Sequence, residues 1–119
     1  MPADPNDPLY QLLLDEKIKE FNQARSEGKT VDLRGAHLRG RDLRIMNAEG
    51  LDMRDAYMRG ADLRGVDFRT TLLEGASICE AKISGCYFPR ELTAEEIRMS
   101  LEKGTRLRCR VLKTAKRPD

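Results

Sequence analysis

The side chains able to do chemistry are few, and their spacing does not suit catalysis. The chain holds one histidine, His37, and three cysteines, Cys79, Cys86 and Cys109. An odd cysteine count without CxxC spacing gives neither a disulfide framework nor a zinc site. No nucleophile falls where the chain's own periodicity would set it beside His37. The glycines do not follow a strand into a helix, as a phosphate-binding loop requires. The chain is therefore expected not to be an enzyme, and no catalytic, cofactor-binding or metal-ligating residue is assigned.

The chemistry on offer is cationic and aromatic. Arginine recurs at five-residue steps as Arg34, Arg39, Arg44, Arg54, Arg59, Arg64 and Arg69, and in five of these seven cases an aspartate lies two residues earlier. Such pairs make a soluble ion-pair lattice worth little per pair. The exceptions are Arg39 and Arg59, where His37 and Tyr57 replace aspartate. Tyrosine and arginine most often dominate binding energy, so His37, Arg39, Tyr57 and Arg59 form one candidate partner-binding surface. A second is the basic tail, with Arg106, Arg108, Arg110, Lys113, Lys116 and Arg117. Residues 105–119 carry six basic groups and one Asp, a net of +5, and the rest of the chain 16 basic and 19 acidic, a net of −3. A basic terminal arm gains affinity for polyanions.

These residues are positioned by a five-residue repeat that runs twelve times over 31–90 without insertion or deletion. Its third position is Leu33, Leu38, Leu43, Ala48, Met53, Met58, Leu63, Phe68, Leu73, Ile78, Ile83 and Phe88, all apolar. Its first position is small or apolar except at Arg41. An apolar spacing of two and then three fits neither the helical period nor strand alternation. It describes an extended stretch followed by a corner, and glycine marks most corners. A chain that runs straight, turns and repeats must coil, with both apolar positions directed at the axis.

Units such as Val31-Asp32-Leu33-Arg34-Gly35 and Ala61-Asp62-Leu63-Arg64-Gly65 resemble the A(D/N)LXX consensus of the pentapeptide-repeat family. The resemblance implies an all-β solenoid, a right-handed quadrilateral β-helix with four units per coil. Sixty residues would make about three coils, a plug roughly 15 Å tall at strand spacing. Residues twenty apart would then stack in columns such as Leu33-Met53-Leu73 and Ala48-Phe68-Phe88. Ala48 leaves space above Phe68, and the inward Arg41 is costly unless a cap lets its head reach water or a carboxylate.

The flanks read as caps. From Pro8 a single helix is expected, with Asp7 as N-cap, Gly28 past its end, and Tyr10, Leu14, Ile18 and Phe21 on one stripe. It would cover the first coil. Thr93-Ala94-Glu95-Glu96 is a capping-box pattern opening a short helix that ends at Gly104. The expected organisation is 1–30 as a segment with the N-terminal capping helix, 31–90 as repeats, 91–104 as a C-terminal helix and 105–119 as a basic tail. Cys86 falls inward as a small core residue, Cys79 outward, and Cys109 in the tail.

The leading functional expectation is a non-enzymatic interaction or scaffold module, presenting a rigid β-helix wall and its basic tail to an anionic or protein partner. Binding of nucleic acid or an anionic surface through the tail is the first alternative. Some members of the family resembled mimic duplex DNA and bind type II topoisomerases, and that is the second. Arginine-rich walls and three coils argue against mimicry, which needs a long acidic rod. A homo-oligomer built end to end or by tail exchange is a further expectation. With no apolar run of ~18 residues and no basic, cleavable N-terminal leader, a cytoplasmic location is expected and no membrane span.

Overall fold

Asp32, Asp42, Asp52, Asp62 and Asp67 each sit at the second position of a unit, two residues ahead of an arginine. In the computed structural model, which describes residues 3–110, each aspartate Oδ1 accepts that arginine's main-chain N–H at 2.9–3.3 Å. The guanidinium completes the pair, at 2.6–2.7 Å from Oδ2. The side chain thus starts a turn that the backbone closes. Leu33, Leu43 and Leu63 carbonyls each accept the N–H three residues on, at 3.1 Å. Glycine at the corner takes the left-handed conformation this requires, as at Gly40 with φ 69°.

The turns carry the chain round one circuit in four units. Parallel bridges join residues twenty apart: Asp32 to Asp52, His37 to Tyr57, Asp42 to Asp62, Asp52 to Leu72, Tyr57 to Ser77, Asp62 to Lys82 and Asp67 to Tyr87. Three circuits stack, each with four sides. Side one runs through 31–35, 51–55 and 71–75, and sides two, three and four follow in order. The inward positions fill the axis. Leu33, Leu38, Leu43, Met53, Met58, Leu63, Phe68 and Ile78 are fully buried, with Ala36, Ala56, Ala61 and Ala76 making room between them.

The fold class expected from the repeat is corrected here. Among the described residues there is no β-strand, and the only continuous regular elements are helices. An all-β solenoid with strand-built walls, the right-handed quadrilateral β-helix that the resemblance implied, is not what the chain forms. The reason lies in the five-residue period. Two residues of each unit are spent on the turn, so a single residue per side is left in bridging geometry, too short to extend into a strand. The circuits are built from turns pinned by isolated bridges.

The single N-terminal helix is also corrected. It is two, α1 at Pro8–Leu14 and α2 at Ile18–Ser26. Asp7 caps α1 as expected, accepting from the N–H of Leu9 at 2.8 Å. The break falls at Glu16, with φ 61°, where Glu16 and Lys17 donate back to the Leu13 and Leu12 carbonyls. A straight helix would carry its apolar stripe past the end of the stack. Folded over, the pair buries Tyr10, Leu13 and Phe21 together against it.

The cap does more than cover carbon. The first circuit's second-position N–H groups point upward, away from the stack. Tyr10 Oη accepts from His37, a Glu16 carboxylate oxygen from Asp42 and Asn22 Oδ1 from Asn47, each at 2.7 Å. Three sides of the upper edge are thereby satisfied by side-chain oxygens, as buried main-chain donors require.

Candidate functional site: the open half of the lower end

Among the described residues, the lower end is covered on one half only. After Arg90 the chain crosses beneath the stack as α3, Ala94–Lys103, with Thr93 as N-cap and Gly104 left-handed at its end. Residues 105–110 then return beneath sides two and one. Ser100 Oγ accepts from Ile78 N–H at 3.1 Å, and Leu101 carbonyl from Glu80 N–H at 3.0 Å. Leu107 pairs with both Gly75 and Ala76 at 2.8 Å. Under this cover Thr71, Leu73, Ala76 and Ile78 are buried.

Sides three and four have no such cover among the described residues. Ala81, Ile83, Cys86 and Phe88 are only half-buried, although the same positions one circuit up, Ala61, Leu63, Val66 and Phe68, are fully sealed. The main chain changes in step. Leu63, Gly65 and Phe68 donate to the Lys82, Ser84 and Tyr87 carbonyls at 2.8–3.0 Å. Their counterparts Ile83, Gly85 and Phe88 have no acceptor among the described residues, and the Ala81 and Cys86 carbonyls no donor. This half presents an apolar floor edged by open main-chain donors and acceptors.

The other surfaces are largely self-satisfied. Arg69 pairs with Asp67 and lies over the Tyr87 ring at 4.7 Å. Each lattice aspartate is held below the ordinary carboxylate range by the hydrogen bond from its arginine, Asp32 and Asp62 at about 2. Both the paired cations and the paired carboxylates are therefore committed within the chain.

Of the residues singled out from sequence, His37, Arg39, Tyr57 and Arg59 do come together. His37 bridges Tyr57, and the Arg59 carbonyl accepts from Gly40 at 2.8 Å. Arg59 is not free, however, lying 3.4 Å from Glu80. In the tail, Arg108 is bound through two nitrogens to the Glu96 carboxylate. Arg106 donates to the Gly75 carbonyl at 2.7 Å, and Arg110 main-chain N–H to the Glu91 carbonyl. Lys113, Lys116 and Arg117 lie outside the described residues. The functional expectation is corrected accordingly. No strand-built wall is there to present, and the tail as far as Arg110 is docked, with Arg108 neutralised. The DNA-mimic alternative needed a β-helical rod and falls with that fold, and the tail-binding alternative, which needed a free basic arm, is not met by residues 105–110, which are docked.

The Cys86 and Cys109 thiols are held in their protonated form. Burial, then the neighbouring Glu74, pushes Cys109 up to about 11, and burial raises Cys86, whose Sγ donates to the Leu63 carbonyl. Arg41 does sit at an inward position, its Nε buried without a partner. On side four, which holds Ala48 and Phe68, the outer wall is interrupted. Asn47 and Asp67 make no bridge, and Thr70 and Thr71 hydroxyls instead hold Gly50 N–H and Ala48 carbonyl. A cleft of about 480 Å³ opens there between Ile45, Asn47, Asp67 and Thr70.

Sequence reasoning missed the open half because twelve in-register units suggest uniform cover. No sequence signal sets these sides apart, since Ala81, Ile83, Cys86 and Phe88 continue the apolar pattern of the circuits above.

A sequence model of the family described as pentapeptide repeats matches residues 31–69, in eight copies. That is 39 of 119 residues, a third of the chain, and the resemblance read across twelve units and 31–90 is corrected to this extent. The match ends before the third circuit, where the open half lies. No curated protein and no solved structure matches the chain.

Proposed function

We propose that this chain is a non-catalytic assembly unit that associates with a copy of itself through the open half of its lower end. The observation that carries the reading is the break at sides three and four, where among the described residues Ile83, Gly85 and Phe88 N–H find no acceptor below and Ala81, Ile83, Cys86 and Phe88 are only half-buried. Half-buried Ile83 and Phe88 gain from cover, since apolar area removed from water contributes about 25 cal/mol per Å². The open N–H groups gain from acceptors in a dry interface. The upper end is already closed by α1 and α2, so of the two ends the lower is the one with an unmet requirement among the described residues.

Light scattering on the full chain at rising concentration tests this. The mass is expected to rise above that of one chain, and Ile83→Lys, an inward charge on an open edge, is expected to hold it at one. A wild-type chain that stays single at every concentration contradicts the reading.

A further inference from the structure

We propose that the interrupted wall of side four is a binding site for a neutral polyhydroxylated small molecule, a sugar or a polyol, held between the first and second circuits. On sides two and three those circuits are joined by a pair of main-chain hydrogen bonds around one residue. Tyr57 accepts from Leu38 and donates to Ala36, and Asp62 accepts from Leu43 and donates to Arg41, all at 2.8–2.9 Å. The equivalent pairs on side four are parted. Asp67 N–H does not reach the Met46 carbonyl, nor Ala48 N–H the Asp67 carbonyl, and none of these four groups meets another partner among the described residues.

The two lips are held apart from above and below. Asn22 of α2 bonds the Ile45 carbonyl at 3.0 Å and the Asn47 N–H at 2.7 Å, and Arg25 bonds the Glu49 carbonyl, so the upper lip is tied to the cap. Tyr87 pairs with Val66 and Phe68 at 3.1 and 2.8 Å, which ties the lower lip to the third circuit. The cause lies at the corner. Thr70 stands where most units carry glycine and stays outside the left-handed region, which a β-branched residue enters only at a cost. Its hydroxyl then takes the Gly50 N–H at 3.0 Å, in place of the Arg69 carbonyl that the pattern of the other sides would supply.

The groups on the lips decide what fits. On each flank of Asp67 an N–H faces a carbonyl across the gap, so the group between them must accept from one and donate to the other. A carboxylate only accepts and an ammonium only donates, whereas a hydroxyl does both at a single atom. A peptide strand would need about 4.8 Å to each lip. The lips are tied too closely for that, by Ile45 N–H to the Arg64 carbonyl at 3.2 Å and by Gly50 to Thr70 at the other end. Two flanks call for two hydroxyls on one molecule. Glu49, exposed on the rim without an ion pair among the described residues, disfavours anions, and Arg69 is committed to Asp67. Ile45, exposed beside the opening, offers an apolar wall to C–H groups. The cleft, about 480 Å³, has the size of a small-molecule site.

Nuclear magnetic resonance of the isotope-labelled full chain, titrated separately with methyl α-glucopyranoside, acetate and N-methylacetamide, tests the site. The glucoside is expected to shift the Ala48 and Asp67 amides saturably and to leave Leu43 and Asp62, their equivalents on closed side three, in place. Thr70→Gly lets the corner turn as it does elsewhere, and is expected to lose those shifts while slowing amide exchange at Ala48 and Asp67. Saturable shifts with acetate or N-methylacetamide and none with the glucoside would overturn the ligand class. Shifts that are absent, or as large at Leu43 and Asp62, would overturn the site, and a Thr70→Gly chain that binds as tightly as wild type would overturn its placement in the parted wall.

Discussion

Phe68 and Phe88 stack with ring centroids 5.7 Å apart and planes inclined by 24°, yet Phe68 is sealed and Phe88 is half-buried. The two rings occupy the same position of their units, one circuit apart. Their difference measures what lies below: a further circuit under Phe68, and no cover among the described residues under Phe88. Phe68→Ala is expected to cost about 3–5 kcal/mol, the range for a buried aromatic. Phe88→Ala in dilute protein is expected to cost no more than about 2 kcal/mol, because less area returns to water. Urea unfolding of both variants checks the order.

Acid should unpick the lattice. Asp32, Asp42, Asp52, Asp62 and Asp67 have folded pKa values below the ordinary 3.8, chiefly through hydrogen bonds from their arginines, and Asp32 and Asp62 stand at about 2. A carboxylate depressed in the folded state adds stability above its unfolded value and loses it as pH falls through the folded one. The thermal midpoint is therefore expected to be flat from neutrality to about pH 5 and to fall between about 4 and 2. The pairs are exposed, so the fall should be modest and smaller in high salt.

Ile45 is a β-branched residue with φ 56°, at a corner where most units carry glycine. A left-handed conformation costs an L-residue about 1–2 kcal/mol, and Ile45 is 65% exposed, so burial returns little. Ile45→Gly is expected to raise stability by about 0.5–1 kcal/mol after the entropy of the added glycine is subtracted. Denaturant midpoints at equal slope would verify it.

Ser100 ties the covering layer to side two through its hydrogen bond with Ile78, and both residues are buried. Ser100→Ala leaves the Ile78 N–H without its acceptor and is expected to cost about 1–3 kcal/mol. Faster amide exchange at Ile78 and Glu80 than at Met58 would locate the loss in the layer.

The path of the chain was legible where one side chain dictates one local event. Asp-x-Arg spacing foretold the five ion pairs, and the apolar third positions foretold the axis. What the period does not report is how much of each unit stays straight, and the turn leaves one bridging residue where walls of strand were expected. The helix pair was illegible because Tyr10, Leu14, Ile18 and Phe21 satisfy a helical stripe whether or not the chain folds over at Glu16. The tail's docking was hidden for another reason. Arg106 and Arg108 look free until Gly75 and Glu96 are brought to them by the turn at Gly104.

Amide hydrogen exchange at Ile83, Gly85 and Phe88 in the full chain, followed from dilute to concentrated solution, tests the central claim most directly. The account predicts fast exchange when dilute and protection of at least tenfold when concentrated, with Leu63, Gly65 and Phe68 protected throughout. Protection of Ile83, Gly85 and Phe88 that is already full in the single chain and indifferent to concentration would contradict it.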